Sequence, residues 1–171
     1  MYYDVVFSSC NIDSDLESRL GFSKIGVIPE SIAFVDLQER GVGKERKAIA
    51  SGPAGKLIQA VNMGVSAVYL KEMEADKKLI SSLADNGVAL CISLSDIMEL
   101  YGLRRSHAIF KAGRLLSSAR KGGVDVAFVT LARSRSSMCS YMQMVELAKL
   151  MGADEGYARK SISEANRRLV V

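Results

Sequence analysis

The chain has 171 residues, of which 49% are hydrophobic and 25% are charged, and its formal net charge is +4 at pH 7. This length predicts a single domain over residues 1–171 with one well-filled core, because it is too short for two comfortable domains. No run of about 18 uncharged apolar residues occurs, and the first residues lack the features of a signal peptide. We therefore expect neither a membrane span nor a membrane partner.

Short apolar segments alternate with amphipathic helix patterns along the chain. Seven segments rich in Val, Ile, Leu and Ala are short enough to be buried strands, and they span residues 2–8, 24–28, 32–37, 48–51, 66–70, 88–94 and 124–131. The alternation predicts an α/β fold with an open or barrel-like parallel sheet. One connection differs, because residues 29–31 are too few for a crossover helix. The second and third strands are therefore expected to pair as a hairpin, unless one of them is misassigned.

Two of the helix patterns have a clear apolar stripe at the helical period. The first stripe is formed by Ala108, Ile109, Ala112, Leu115, Leu116 and Ala119. The opposite face of that helix carries Lys111, Arg114, Ser118 and Lys121. The second stripe is formed by Met138, Tyr141, Met142, Val145 and Ala148. We expect both helices to cover the sheet with these stripes.

Paired arginines follow two of the predicted strands. Arg104 and Arg105 follow the sixth strand, and Arg133 and Arg135 follow the seventh. The loops after parallel strands gather at one end of the sheet, where such folds bind their ligands. Guanidinium groups collected at that end indicate a phosphate-rich partner.

The charges are unevenly distributed along the chain. The first 100 residues contain 10 basic and 14 acidic side chains, whereas the last 71 contain 13 basic and 5 acidic ones. Such an asymmetry indicates nucleic-acid binding, although a solvated basic helix face gives the same pattern. The predicted nucleic-acid-binding residues are Arg104, Arg105, Lys111, Arg114, Arg133 and Arg135. Arg104 is the weakest candidate in this set, because one of two adjacent residues at a helix start often faces inward.

Patterns for catalysis and metal binding are weak. His107 is the only histidine, so neither a multi-histidine metal centre nor a histidine pair can form. Cys10, Cys91 and Cys139 are far apart and favour reduced thiols of a cytoplasmic protein. The acidic residues in or after strands are Asp4, Asp36, Glu39, Glu72 and Asp96. We expect no catalytic residue, metal or cofactor on the protein itself, and a carboxylate site for Mg²⁺ stays open as an alternative.

Five segments of the second half resemble one known family in their order and spacing. They are residues 87–94, Leu103-Arg104-Arg105, and residues 126–132, 144–152 and 158–163. Together they are similar to the ribonuclease P protein component 3 family of archaea and eukaryotes. The similarity covers about half of the chain, from Gly87 onward, and in the first half only residues 2–9 and Leu20-Gly21-Phe22 are similar.

The resemblance implies a TIM-like (β/α) barrel related to the polymerase and histidinol phosphatase hydrolases, here compact and incomplete. In those hydrolases the first strand reads D-L-H-x-H-S, and Val6 and Ser8 occupy the histidine positions of this chain. It also implies a non-catalytic RNA-binding subunit of ribonuclease P, in which the RNA and its Mg²⁺ remove the 5′ leader of precursor tRNA. The implied partners are the ribonuclease P RNA, precursor tRNA and a small ferredoxin-like protein subunit.

The chain departs from the family pattern after its seventh strand. The family continues toward L-R-x-P-x-D, whereas Cys139, Tyr141 and Gln143 stand here in place of the arginine, proline and acid. Arg133 and Arg135 in the preceding loop can supply charge there. Two alternatives stay open: a metal-dependent phosphoesterase on a (β/α) barrel, and a protein-interaction scaffold whose basic half is solvated surface.

Overall fold

The computed structural model describes residues 1–28, 33–38 and 48–170, and this part of the chain contains seven parallel strands. They are β1 (Tyr3–Phe7), β2 (Lys24–Ile28), β3 (Ala33–Asp36), β4 (Ala48–Ser51), β5 (Ala67–Tyr69), β6 (Ala89–Ser93) and β7 (Val126–Val129). Each strand lies within one of the seven segments predicted from the sequence. The strand predictions are therefore confirmed.

The described residues also form eight α-helices. They are α1 (Ser14–Leu20), α2 (Ala54–Asn62), α3 (Lys77–Asn86), α4 (Leu94–Met98), α5 (Gly102–Lys121), α6 (Tyr141–Leu150), α7 (Glu155–Lys160) and α8 (Asn166–Val170). A π-helical turn, Ser161–Ala165, joins α7 to α8. The side chains of Asp13, Asp76, Ser140 and Asp154 cap helices by accepting a backbone N–H of the first turn. None of the helices in the described ranges has both the length and the apolar character needed to span a membrane.

The strands form a two-stranded parallel sheet, β1-β2, and a five-stranded one, β3-β4-β5-β6-β7. Two backbone hydrogen bonds join the sheets, because Leu131 N donates to Val5 O over 2.8 Å and Phe7 N donates to Ala132 O over 2.9 Å. The strands thus follow the cyclic order of a (β/α) barrel that is open between β2 and β3 in the described residues. The predicted incomplete barrel is confirmed. The expected hairpin is wrong, since β2 and β3 lie in different sheets.

Alternate side chains of the strands belong to two separate hydrophobic cores. One core lies between the strands and the helices, and Val6, Leu90 and Phe128 belong to it. The other lies on the concave side of the strands, and Val5 and Cys91 belong to it. Successive side chains of a strand point to opposite faces, so a strand that is covered on both faces contributes alternate residues to two cores.

Two buried polar side chains reinforce the joint between β1 and β7. The carboxylate of Asp4 accepts hydrogen bonds from the backbone N–H and the hydroxyl of Thr130. Asn166 donates from its side-chain nitrogen to Tyr3 O over 2.8 Å and to Phe128 O over 2.5 Å. A π-helical turn changes the helical phase of the residues that follow it, and Asn166 is the first of them. These contacts satisfy backbone groups that the strand ladders leave unpaired.

The predicted buried stripe of α5 is confirmed at its centre, where Ala112, Leu115, Leu116 and Ala119 are buried. The predicted stripe of α6 is partly wrong. Met142 is 53% exposed, whereas Met144 is buried. The buried residues of α6 are Tyr141, Met144, Val145 and Ala148. Their spacing of three, four and seven residues from Tyr141 describes one helix face, and Met142 lies outside it.

Candidate nucleic-acid interface

The loops that carry the predicted arginines leave the same edge of the five-stranded sheet. Ser93 pairs with Val129 in the parallel register of β6 and β7, so both strands end side by side. The segment after β6 leads through α4 to Arg104 and Arg105, and the segment after β7 leads to Arg133 and Arg135. In (β/α) barrels this carboxyl edge is the ligand-binding edge.

Within the first loop, Arg105 holds the start of α5 against the end of α4. Its guanidinium donates to the backbone oxygens of Met98 and Leu100, each over 2.6 Å. Met98 is the last residue of α4 and Leu100 lies two positions beyond it, where carbonyl acceptors lack partners within the helix. Arg104 is exposed and makes no hydrogen bond or ion pair with the described residues. The expectation that Arg104 is the inward-facing member is therefore wrong, because Arg105 takes that place.

The second loop repeats this division between two arginines. Arg135 donates to Asn11 O over 2.7 Å and forms an ion pair with Asp13 at 2.9 Å. It thereby ties the loop after β7 to the start of α1. Arg133 is exposed, and its guanidinium carbon lies 5.0 Å from the centre of the Phe7 ring. Each loop thus has one arginine that holds the backbone and one whose exposed guanidinium makes no hydrogen bond or ion pair with the described residues.

Backbone strain occurs in two of the loops at the carboxyl edge. Among the described residues other than glycine, only Met73 (φ 53°) and Leu131 (φ 47°) have positive φ. Met73 follows β5 and Leu131 follows β7. The left-handed conformation costs roughly 1–2 kcal/mol for such residues and persists where other contacts enforce it. For Leu131 these contacts are burial of its side chain and the hydrogen bond to Val5 O.

A row of three aromatic rings lies on the concave side of the strands. The ring centres of Phe7 and Phe34 are 5.3 Å apart, and those of Phe34 and Tyr69 are 6.1 Å apart. The Tyr69 hydroxyl donates to the carboxylate of Asp96. Burial and this hydrogen bond raise the pKa of Tyr69, while the positive charge of Arg133 acts in the opposite direction. Arg133 therefore lies close to both ends of the row, over the Phe7 ring and near enough to Tyr69 for its charge to act on the hydroxyl.

Sequence reasoning missed these aromatic residues, although a signal for them existed. Phe7 shares the strand parity of Tyr3 and Val5, and Tyr69 shares that of Ala67. All of them belong to the core on the concave side or pack against it. The sequence alone does not give the order of the strands. It is this order that brings the rings from β1, β3 and β5 together.

The two remaining predicted residues, Lys111 and Arg114, lie farther along α5. The ammonium of Lys111 forms an ion pair with Glu74 at 2.7 Å. Arg114 is exposed on the same side of the helix. At about 1.5 Å per residue, both lie roughly 10 Å or more along the helix axis from Arg104. The six predicted residues therefore form two groups, one on the arginine loops and one on α5.

The strand-end carboxylates do not form a metal site in the described residues. Asp4 is fully buried and accepts hydrogen bonds from Thr130. The carboxylate of Asp96 accepts a hydrogen bond from the Tyr69 hydroxyl. Asp36 accepts the backbone N–H of Gln38. Glu39 lies outside the described residues. Throughout residues 1–28, 33–38 and 48–170, no group of three or more His, Cys, Asp or Glu residues could hold a metal ion.

Tyr141, which replaces the proline of the family pattern, belongs to a buried stacking contact. Its ring lies 3.6 Å from that of Tyr2, and the two planes are inclined by 18°. Its hydroxyl accepts a hydrogen bond from Arg159 over 2.7 Å, and Glu155 pairs with the same guanidinium. Burial raises the pKa of Tyr141 to about 12, so it stays neutral. Arg159 was not among the predicted residues, although it lies in a segment similar to the family.

These features define an incomplete (β/α) barrel with basic loops at the carboxyl edge of its strands. The chain is 30% identical over 92 residues to ribonuclease P protein component 3 of Methanosarcina acetivorans. This match includes 54% of the chain but only 38% of the length of that relative. The resemblance drawn from the sequence is confirmed. No family model matches the chain.

Solved structures show the same fold. A chain of an archaeal ribonuclease P, determined by cryo-EM with mature tRNA, is similar over 99% of this chain and 81% of its own length, with a TM-score of 0.68 and 15% identity. An amidohydrolase has a TM-score of 0.55 over 90% of this chain and 43% of its own, at 14% identity. A Xaa-Pro dipeptidase has a TM-score of 0.53 over 88% and 44%, at 15% identity. Identities this low show the fold alone.

Proposed function

We propose that this protein is a non-catalytic, RNA-binding subunit of ribonuclease P in the cytoplasm. In this role it supports the removal of the 5′ leader from precursor tRNA, and the Mg²⁺ required for cleavage is held by the RNA. The observation that carries the proposal is the pair of arginine loops at the carboxyl edge of the sheet. The similarity to component 3 and to a chain of archaeal ribonuclease P supports it.

The arginine loops have the properties that a phosphate-binding surface needs. Arg105 and Arg135 fix the loop backbones through carbonyl oxygens, which lowers the entropy lost when a ligand binds. Arg104 and Arg133 keep their guanidinium groups available to solvent. Arginine binds phosphate through a planar set of donors, and such contacts give affinity and position without reading sequence.

A second, protein partner is part of the proposal. The family resemblance implies a small ferredoxin-like subunit, and α6 offers apolar side chains that the described residues leave more than half exposed. Met142 is 53% exposed and Leu150 is 66% exposed. Large apolar side chains of this kind anchor protein interfaces. Co-purification of this chain with the small subunit, and its loss in the Met142→Asp variant, would test the assignment.

RNA binding is tested by measuring affinity for a ribonuclease P RNA over a range of salt concentrations. The variant Arg104→Ala/Arg133→Ala removes the two loop arginines whose guanidinium groups make no hydrogen bond or ion pair with the described residues. The matched control is Arg167→Ala, because Arg167 is an exposed arginine on α8. The logarithm of the affinity should fall linearly with that of the salt concentration, by roughly 0.7–0.9 per phosphate contact, and we expect about three to six contacts.

The double variant should bind more weakly and lose about two contacts from the salt slope, whereas the control should match the unchanged protein. Affinity for ribonuclease P RNA should also exceed that for an unrelated duplex of equal length. Equal affinity for both RNAs with identical slopes would reduce the binding to nonspecific electrostatics and contradict the proposal.

A further inference from the structure

A cleft lies between the outer face of α5 and the loop that follows β5, at a distance along the helix from the arginine loops. Its volume is about 370 Å³, and Glu74, His107, Phe110, Lys111 and Arg114 line it. The Phe110 ring is 62% exposed. The sequence of α5 contains six Lys and Arg residues and no Asp or Glu. An exposed aromatic ring therefore stands on a helix of uniformly positive charge.

The polar groups of the cleft are already ordered. Lys111 and Glu74 neutralise each other at 2.7 Å, and this contact holds the pKa of Glu74 below its usual range. The positive charge of Arg114 acts on Glu74 in the same direction. The ion pair fixes the loop after β5 against α5, and it leaves Arg114 as an exposed cation in the same cleft as the Phe110 ring. A flat apolar ring next to a guanidinium matches a nucleotide, which has a flat base and an anionic phosphate.

We propose that this cleft binds one unpaired nucleotide of an RNA, with the base stacked on Phe110 and the adjoining phosphate on Arg114. The inference rests on the proposed function and adds that part of the bound RNA is single-stranded. Base-paired RNA keeps its base faces inside the helix and offers phosphates, 2′-hydroxyl groups and base edges to a protein, but no free base face. A purely electrostatic contact would gain nothing from the exposed ring. Stacking on a base is therefore the property that distinguishes the cleft from the arginine loops.

The absence of tryptophan from the chain allows a direct optical test. In the Phe110→Trp variant, the fluorescence of the single tryptophan reports on the cleft alone. The control is Leu150→Trp, because Leu150 has a similar exposure of 66% but lies on α6. A short single-stranded RNA should quench the emission of Phe110→Trp strongly. A blunt duplex of the same length, or the same RNA added to Leu150→Trp, should quench little.

Affinity measurements separate stacking from charge. Phe110→Ala should weaken binding of the single strand by roughly tenfold or more and leave the salt slope unchanged. Arg114→Ala should reduce the slope by about one phosphate contact. Both residues are exposed, so both variants should unfold at the temperature of the unchanged protein.

The outcomes distinguish this inference from the proposed function. If the unchanged protein and Phe110→Ala bind ribonuclease P RNA equally well, and RNA does not quench Phe110→Trp, the arginine loops account for binding and the cleft proposal is wrong. If the unchanged protein binds no RNA, both proposals are wrong. If the emission of Phe110→Trp changes with protein concentration in the absence of RNA, a second copy of the chain covers the cleft, which also overturns the inference.

Discussion

Asp4 and Thr130 are 126 positions apart in the chain, yet both carboxylate oxygens of Asp4 accept hydrogen bonds from Thr130. The backbone N–H of Thr130 donates over 2.7 Å and its hydroxyl over 2.5 Å. Asp4 is fully buried, and burial raises its pKa to about 6. The side chain of Asp4 thus joins β1 to the end of β7.

This raised pKa predicts a pH-dependent stability. The unfolded carboxyl titrates at about 3.9, so between that pH and about 6 the folded protein binds a proton that the unfolded chain does not. The contribution of Asp4 to the free energy of unfolding should therefore increase as the pH falls through 6. It should be complete below about pH 4, with an upper size of about 3 kcal/mol.

The Asp4→Asn variant provides the reference for this measurement. Its amide oxygen still accepts the Thr130 N–H, and it does not titrate. The difference in free energy of unfolding between the two proteins, measured with urea from about pH 4 to 7, isolates the contribution of Asp4. Carboxylates with lowered pKa, such as Asp13 and Asp154, have the opposite pH dependence but are common to both proteins. Identical pH profiles would contradict the assignment.

Asn166 should contribute strongly to stability. In Asn166→Ala the buried carbonyl oxygens of Tyr3 and Phe128 lose their donor, and we expect the free energy of unfolding to fall by about 2–4 kcal/mol. Asn86→Ala is the control, because Asn86 makes an exposed hydrogen bond to Ser82 O and should change stability by about 0.5 kcal/mol or less. Equal urea midpoints for both variants would show that water replaces the Asn166 side chain.

The two adjacent arginines at the start of α5 should respond differently to mutation. Arg105→Ala removes two hydrogen bonds to backbone oxygens and should lower the free energy of unfolding by about 1–3 kcal/mol. Arg104→Ala should change it by no more than about 0.5 kcal/mol and affect RNA affinity alone. Thermal unfolding of both variants at the same pH measures the difference. A larger loss in Arg104→Ala would reverse the roles assigned to the pair.

The purified chain should not hydrolyse phosphoesters or cleave precursor tRNA above background with Mg²⁺, Mn²⁺ or Zn²⁺. The physical reason is that each carboxylate already has a hydrogen-bond donor. Asp4 accepts from Thr130 and Asp96 accepts from Tyr69, so the two do not form a pair that could bind a metal ion. Assays with a generic phosphoester and with precursor tRNA measure this directly. Turnover that depends on the metal and disappears in Asp36→Asn would revive the phosphoesterase alternative.

The strands were predictable because a strand can be recognised from the residues of its own segment. Ala48–Ser51 consists of four buried residues, and a run this short that is followed by Gly52 and Pro53 indicates a strand and not a helix. The barrel joint was not predictable, because it depends on single polar residues far apart in the chain. The Asn166 amide reaches Tyr3, 163 positions away, only after a π-helical turn has changed its direction. No periodicity in the sequence marks such a turn.

The arginine loops were predictable as a group but not residue by residue. Arginines after two neighbouring parallel strands must reach one edge, and the sequence predicted this correctly. Which member of Arg104 and Arg105 faces inward depends on the phase of α5. That phase is set by α4, a helix of five residues that the sequence analysis did not identify. Short helices have too few residues to show an apolar period.

The order of the strands has a consequence for synthesis on the ribosome. β1 and β2 emerge first, but the hydrogen bonds that join β1 to the other sheet come from Leu131 and Ala132. The partners Asp4 and Thr130 are separated by 126 positions, which at the usual speed of translation is a delay of roughly 6–25 s. During this time the free edge of β1 is open to chaperones or to other nascent chains. We therefore expect the final closure to follow the emergence of α8, which carries Asn166, from the exit tunnel.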